Sequence, residues 1–491
     1  MKEVVKNFQS RDKTHTGERL LIIFLGILVF VNFSVSVNAW QLQYFSDEWE
    51  FYTTASEIAQ GEYSPNIFDL NGVYEENPIF GSYYHAFFLK IFGQTPLVWK
   101  FSNGILLIPI VVFFFYWVKE YFDQATAWVA TLLFSSSHIL AHYTKIGYPN
   151  HLAFLLFIVS LFIIQRIMDE KSIRYVVLLG ALWGISFYVF IGPLFPVMQF
   201  PLLLPLFQKS LGEKRDRWLP KAVVGAVSYL LIVLPGVLIT DSTHWHSIQQ
   251  LLGRGGNPTL FVVATNIVKP LFLFIFQFFP MHTHFSGGRL VDPIVLMLIL
   301  VGVVVLLKMA KDRDYVRYFI AAFIATGITI GVSNMYEHIG VTRGVFMLPF
   351  WFVMAGVGVV WILRHSRLVG GMLVVAVSAS SLYFTHVTYF SQADFHVNNY
   401  LIHELRGNSD KVTFMAADPL VPNPLVFDDV MRSYGYTDRI EKVVLSGEQD
   451  VCQYQFRTIV VLREDTGLQT FLLTSDCLEG GEIIVLDRYY Y

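Results

Sequence analysis

Apolar segments, each close to twenty residues long and joined by polar connections, constrain this chain more than any other feature. They fall near 19–39, 97–118, 124–141, 151–168, 174–191, 193–207, 219–240, 292–308, 315–332, 344–363 and 368–388, with a further apolar stretch at 259–280. A helix of about 20 apolar residues crosses the hydrocarbon core of a bilayer, so the pattern predicts a polytopic membrane protein. Composition agrees. The 491 residues are 54% hydrophobic and only 15% charged, whereas a soluble domain carries roughly 25% charged residues. A net charge of −3 gives no reason to expect a polyanion, so no nucleic-acid partner is implied.

Charge then sets the topology. Lys2, Lys6, Arg11 and Lys13 lie in a tail, 1–18, that the positive-inside rule places in the cytoplasm. Every second connection is basic: Arg166, Lys171 and Arg174; Lys209, Lys214, Arg215 and Arg217; Lys308, Lys311, Arg313 and Arg317; Arg364 and Arg367. The connection after the first run is acidic instead, with Asp47, Glu48, Glu50, Glu57, Glu62, Asp69, Glu75 and Glu76. A crossing at 259–280 would put the last two basic clusters outside. That stretch is therefore read as an interfacial or re-entrant helix within an outer loop, 241–291. Eleven spans satisfy the pattern, with a membrane domain over 19–389 and outer loops at 40–96 and 241–291. Ser-Val-Asn-Ala before Trp40 resembles a signal cleavage site, but the apolar run is longer than a signal core and is read as the first span.

From 390 the composition changes. Val412–Ala416, Lys442–Leu445, Thr458–Leu462 and Ile483–Leu486 read as strands and 396–406 as a helix, giving a small α/β domain over 390–491. An odd number of spans puts that domain outside. Its two cysteines, Cys452 and Cys477, lack metal-site spacing and are expected to form a disulfide.

The proposed spans carry almost no ionisable residues away from their ends; Gln199 is the notable polar group. Proton- or ion-coupled carriers need such groups near the midplane, so a pump or secondary carrier is disfavoured. The chemistry collects above the bilayer. Asp47 and Glu48 follow the first run at once. A carboxylate there suits a general base that takes a proton from an attacking hydroxyl, and it equally suits a cap for the helix that follows through Ala55 to Gln60. The flanking aromatics Trp40, Tyr44, Phe45, Trp49, Phe51 and Tyr52 suit an interfacial belt or a sugar platform. Glu75, Glu76, Asn77 and Pro78 form a Pro-anchored loop ahead of an amphipathic stretch, Tyr83 to Phe92, that could cover a site at membrane level. His244, His246, His282 and His284 share the second outer loop. Two such pairs could hold a divalent metal, although polar surface is the commoner role, and no cofactor is required.

The order of these features resembles the GT-C superfamily of glycosyltransferases, which includes the protein O-mannosyltransferases, the aminoarabinose transferase ArnT and the RgtA-to-D-like enzymes. The resemblance rests on the acidic pair Asp47-Glu48, the small residues Ala55, Ala59 and Gly61, then Pro78, Phe92-Gly93 and Lys100. It continues through Ala127, Ala130, Ser135–Ser137 and Lys145, covering 40–200 well and 290–400 loosely. Two departures stand out. Lys145 and Asn150 occupy the loop where the family usually carries Arg and Asp, and the paired prolines of the first loop are reduced to Pro78. The resemblance implies inverting transfer of a sugar from a polyprenyl-phosphate carrier to a glycan, lipid or protein acceptor, at the outer face of the plasma (inner) membrane. Asp47 would be the base and Glu48 its support, with Asn150 as a helper. A departing lipid phosphate calls for cations at the outer interface; Lys100, Lys145 and Arg343 are assigned that role, with headgroup snorkelling as the competing reading. Two rival functions remain: a lipid or polysaccharide transporter, and a membrane-anchored interaction protein. A transporter would need a polar path through the bilayer, and an interaction protein would tolerate loss of Asp47.

Overall fold

Polar residues at helix starts and glycines at helix ends cut the apolar runs into the elements observed. The computed structural model describes residues 48–73, 77–145, 150–170, 172–212, 218–239, 265–273, 278–279, 288–289, 291–333 and 341–383, and four strands within 412–486. The first three described helices form a platform: α1 (Glu48–Gln60), α2 (Phe80–Phe92) and α3 (Pro96–Gly104). Helix α1 stops at Gly61, whose φ of +82° lets the Glu62 N–H reach back to the Glu57 carbonyl at 3.0 Å. Gly93, at φ +98°, turns α2 into α3. A side chain is strained in that region of φ, which gives the Phe92-Gly93 pair a physical reason. Thr95 then caps α3, its hydroxyl accepting from the Val98 N–H at 3.3 Å, with Pro96 at the first helical position.

After a short break at Ile105–Leu106 the chain continues as α4 (Leu107–Tyr121), followed by α5 (Gln124–Ser135) and α6 (His138–Lys145). The apolar run 124–141, expected as one span, is thus two helices. Ser135 and Ser136 turn their hydroxyls onto the Leu132 and Leu133 carbonyls, bonds that offer the backbone an alternative to a continuing helix. Next come α7 (Asn150–Glu170), α8 (Ile173–Ser186), α9 (Phe195–Gly212), α10 (Trp218–Ile239), α11 (Pro293–Met309), α12 (Asp314–Ser333), α13 (Leu348–His365) and α14 (Arg367–Tyr383).

Among the described residues, Leu97–Tyr121, His151–Glu170, Leu219–Ile239, Asp314–Ser333 and Val345–His365 are long and apolar enough to cross a membrane, and Ile173–Ser186, Pro293–Met309 and Arg367–Tyr383 are shorter apolar helices. The chain is an integral membrane protein. The first predicted run, 19–39, lies outside the described residues.

Helix α13 is the axis of the bundle: 89% of its apolar window is buried, against 11% for α10 at the periphery. Around it gather aromatic rings, with Phe350 at 5.5 Å from Phe319 and 6.1 Å from Trp117, and Phe346 at 5.4 Å from Phe157. Helix α11 closes on α13 because Gly302 has no Cβ; one placed there would sit 1.8 Å from the Met354 carbonyl oxygen. Without a hydrophobic drive between helices in lipid, such close backbone contact supplies the attraction. At the periphery Pro235 interrupts α10, and the Tyr188 hydroxyl enters its ladder. It accepts from the Gly236 N–H at 3.0 Å and donates to the Ile232 carbonyl at 2.6 Å, the pair that a regular helix would join directly.

Part of the 259–280 stretch is not helical. Residues 265–273 form a helical segment ending in a π-turn at Lys269–Leu273, while β1 (Phe278–Phe279) pairs antiparallel with β2 (Gly288–Arg289). The helical piece packs against α12, where a Cβ on Gly331 would meet the Asn266 carbonyl oxygen at 2.2 Å.

In the C-terminal region β3 (Val412–Ala416), β4 (Ile440–Val444), β5 (Thr458–Leu462) and β6 (Glu482–Leu486) form a parallel sheet in the order β4-β3-β5-β6. These are the four segments expected as strands, within two residues at their ends. Parallel neighbours require crossover connections of about a dozen residues or more. The predicted helix at 396–406 and both cysteines lie outside the described residues.

Candidate functional site

Helix α1 begins at Glu48, directly after Asp47. A carboxylate in the first turn of a helix is favoured by the unpaired N–H groups there, but Glu48 does not face water. It is fully buried. Its Oε1 accepts from Lys100 Nζ at 2.5 Å and from the Trp99 indole N–H at 2.7 Å. Lys100 is 1% exposed. Two charges taken out of water cost several kcal/mol each unless they are paired and hydrogen-bonded, and here a lysine and an indole N–H meet one carboxylate oxygen. The first turns of α3, set by the Thr95 cap, put Trp99 and Lys100 side by side for this purpose.

Trp99 is itself held on two sides. The Tyr52 ring meets it edge-on at 5.5 Å, and the His85 ring lies 4.3 Å away at 40°. His85 comes from the buried face of α2, with Ser82, Ala86 and Leu89. Its Nδ1 is 2.6 Å from Ser102 Oγ, and the Ser102 hydroxyl donates to the Trp99 carbonyl at 2.6 Å. Burial, and secondarily the nearby His151, push the His85 pKa down to about 3, so the imidazole is neutral. The neighbouring Tyr84 donates to the Ser102 carbonyl at 2.7 Å, and burial raises its pKa. The platform is tied at its far edge by Gln94, whose Oε1 accepts from Ser56 Oγ at 2.9 Å and from Gln60 Nε2 at 2.7 Å.

The other expected site residues are distributed as follows. Asp47, Glu75 and Glu76 lie outside the described residues, as do His244, His246, His282 and His284. Asn77 pairs with Val73 in a two-way backbone bridge (3.0 and 2.8 Å), closing the base of the loop that carries Glu75 and Glu76. Pro78 follows, and the Ile79 N–H donates to the Asp69 carbonyl at 3.1 Å. Lys145 ends α6 and Asn150 opens α7; the side chains of both lie outside the described residues. Half-buried Arg343 donates to the Ser333 carbonyl at the C-terminal end of α12, where a cation and donor complement the unpaired carbonyls. Lys100, expected to face a lipid phosphate, faces Glu48. Among the described residues no group of three His, Cys, Asp or Glu side chains is placed to hold a metal ion.

Residues 76–239 match the family model described as dolichyl-phosphate-mannose-protein mannosyltransferase. A sequence comparison with curated proteins returns no match. Solved structures are similar at low identity. ArnT from Cupriavidus metallidurans in the apo state aligns with a TM-score of 0.54 and 11% identity, over 87% of this chain and 89% of that one. The Archaeoglobus fulgidus oligosaccharyltransferase aligns with a TM-score of 0.53 and 11% identity, over 89% of this chain. This chain has the GT-C fold. It spans 65% of the archaeal enzyme's length. A second structure of the archaeal protein, AglB in complex with an inhibitory peptide and a dolichol-phosphate, aligns with a TM-score of 0.50 and 13% identity, over 96% of this chain and 65% of that one. Within the GT-C fold of this chain, the part of the platform that sequence reasoning missed is the set Trp99, Ser102 and His85. The spacing of Ser82, His85, Ala86 and Leu89 is that of one helical face, so the amphipathic pattern of α2 already put His85 inward. What it could not show was the partner, seventeen residues further on in another helix.

Proposed function

We propose that this chain is a membrane glycosyltransferase that moves a sugar from a polyprenyl-phosphate donor to a hydroxyl of a glycan, lipid or protein acceptor. The observation that carries the reading is the locking of Glu48, the residue after Asp47, onto Trp99 and Lys100 at the start of the span Leu97–Tyr121, in a GT-C fold. The dolichol-phosphate named with the archaeal relative supports a lipid phosphate as the leaving group, as does the family model over 76–239. Asp47 takes the proton from the acceptor hydroxyl as its oxygen bonds to the anomeric carbon. The bond from that carbon to the phosphate oxygen breaks on the opposite side, giving inversion, and the electron pair leaves with the polyprenyl phosphate. Lys145 and Arg343 hold the charge that develops there, a guanidinium being a fixed cation with five N–H donors. Glu48, pinned by Trp99 and Lys100, anchors the start of α1 directly after Asp47 in the sequence. Lys100 acts through that pair, and the loop Glu75–Pro78 covers the reacting groups, with Asn150 assisting from the start of α7. This chemistry requires no cofactor.

Eleven spans, a cytoplasmic tail 1–18 and an extracytoplasmic α/β domain, 390–491, closed by a Cys452–Cys477 disulfide, complete the proposed arrangement in the plasma membrane. Accessibility labelling at positions 213 and 430 should report inside and outside respectively. The decisive experiment is Asp47→Asn, which keeps a capping oxygen and the side-chain size but removes the basicity. A positioned base is worth ~10²–10⁴-fold in rate, so a folded variant should lose transfer activity by about that factor. Near-wild-type transfer would leave Asp47 as a helix cap and remove the base from the mechanism.

A further inference from the structure

The imidazole of His85 stands where a plain hydrocarbon ring would fill the space at less cost. It is 1% exposed, and its Nε2 has no hydrogen-bond partner among the described residues. A buried polar atom left unmatched costs roughly 1–3 kcal/mol, and a phenyl ring would avoid that. What a phenyl ring lacks is the donor at Nδ1. Ser102 has a single hydroxyl proton and directs it to the Trp99 carbonyl at 2.6 Å. Its oxygen must therefore accept from His85, which requires the tautomer with the proton on Nδ1. The same imidazole lies against the indole of Trp99 at 4.3 Å, while Tyr52 closes the other approach at 5.5 Å. His85 thus grips Trp99 twice, through its backbone carbonyl by way of Ser102 and through its ring. The far end of that indole, Nε1–H, donates to Glu48.

We propose that His85 is a positioning residue for the acidic pair: neutral and protonated on Nδ1, it fixes the Ser102–Trp99 unit that aims the indole N–H at Glu48, and through Glu48 the start of α1 beside Asp47. The inference deepens the glycosyltransferase reading and rests on it for its kinetic consequence, but the geometry makes a claim of its own about a proton. His85 reaches no reacting atom. Its contribution is the orientation of a carboxylate that borders the reaction, and misplacement of about 1 Å at a reacting centre can cost 10²-fold in rate.

The test uses the full-length chain in nanodiscs. His85→Phe keeps the ring against Trp99 and removes the donor; His85→Asn puts an amide N–H near the Nδ1 position and restores it. The expected result is a fall in kcat of ~10- to 100-fold for His85→Phe with the donor KM little changed, and recovery of most of that loss in His85→Asn. In a Glu48→Gln background, His85→Phe should add little, because the two act through one unit. Wild-type kcat in His85→Phe, additive losses with Glu48→Gln, or His85→Asn as impaired as His85→Phe would each overturn the assignment. Nitrogen-15 NMR of histidine-labelled protein needs no turnover. It should show a His85 resonance, identified by its disappearance in His85→Asn, from a neutral ring with the proton on Nδ1, and this should shift in Ser102→Ala. A proton on Nε2 overturns the proposal even if the chain transfers sugar. The expected tautomer in a wild-type chain that transfers no sugar from any lipid-phosphate donor would sink the enzymatic reading and leave the positioning geometry standing.

Discussion

The span Leu97–Tyr121 carries an ion pair near each end, and the two pairs could hardly differ more in setting. Near its N-terminal end Lys100 meets Glu48 at 2.5 Å with side-chain exposures of 1% and 0%. Near its C-terminal end Glu120 meets Arg166 at the same 2.5 Å, with exposures of 19% and 31%. Some twenty residues of helix separate them, roughly 30 Å. The C-terminal pair sits among Asp169, Glu170 and Arg174 in a partly exposed charge cluster. The N-terminal pair is sealed under Tyr52, Trp99 and His85 and is joined by a neutral donor. Distance alone says nothing about consequence; hydration decides it. A buried pair is seldom a gain in stability over apolar residues of the same volume, yet breaking it by removing one partner is severe. A chain that keeps such a pair beside its proposed base has put it where orientation matters.

The comparison can be broken most forcefully at Lys100. Lys100→Met leaves the Glu48 carboxylate buried without its lysine, and should cost ~3–5 kcal/mol in unfolding free energy. The double variant Glu48→Gln with Lys100→Met should recover most of that. Denaturation in detergent would measure both, and a double variant no more stable than the single one would mean that the pair is not the source of the loss.

Acid should act next on the cluster around Lys100. His85 is held down to about 3 by burial and by His151, against an ordinary value near 6.5. Between those values the unfolded chain binds a proton that the folded chain refuses, so stability rises with pH. The contribution is fully present above about pH 6.5 and is lost as pH falls toward 3, by at most ~5 kcal/mol. The difference in stability between the wild type and His85→Asn, followed from pH 7 to pH 4, isolates this slope from that of the carboxylates. A flat difference would show that His85 takes up its proton as easily folded as unfolded.

A smaller effect is expected at Asp123, where the start of α5 uses a carboxylate as a cap. Its Oδ1 accepts from the Thr126 N–H at 2.8 Å, and its Oδ2 pairs with Arg364 at 3.2 Å. Asp123→Ala should destabilise by ~1 kcal/mol through the lost cap, largely independent of salt because the exposed Arg364 contact contributes little. Smallest of all, Arg166→Gln should cost less than ~1 kcal/mol, and salt should shrink the difference further. A loss at Arg166 as large as that at Lys100 would erase the contrast between the two ends.

Much of the membrane architecture was legible because it is local. Apolar runs at 97–118, 151–168, 219–240, 315–332 and 344–363 coincide with the helices able to span, since a single helix must satisfy its own backbone in lipid. The four strands after residue 411 were found from alternation and turn residues for the same reason. The run 124–141 misled because hydropathy counts serine as one weakly polar residue and does not register hydroxyls turned onto carbonyls. At 259–280 apolar character was equally blind to conformation, and a helical piece is followed there by a strand. Lys100 was assigned to a phosphate on its place at the outer interface, with no means of seeing a carboxylate fifty-two residues away.

The sequence by itself determined that this chain lives in a membrane, where most of its spanning helices fall, and that its acids gather after the first apolar run, because hydropathy, capping and charge act over a few neighbouring residues. Only the tertiary structure decided which of those charges face one another. Glu48, His85, Trp99, Lys100 and Ser102 come from three helices, and their meeting depends on the Gly93 turn and on the packing of α1 and α2. Contacts of that kind are set by how faces pack across space, and spacing along the chain does not encode them one pair at a time.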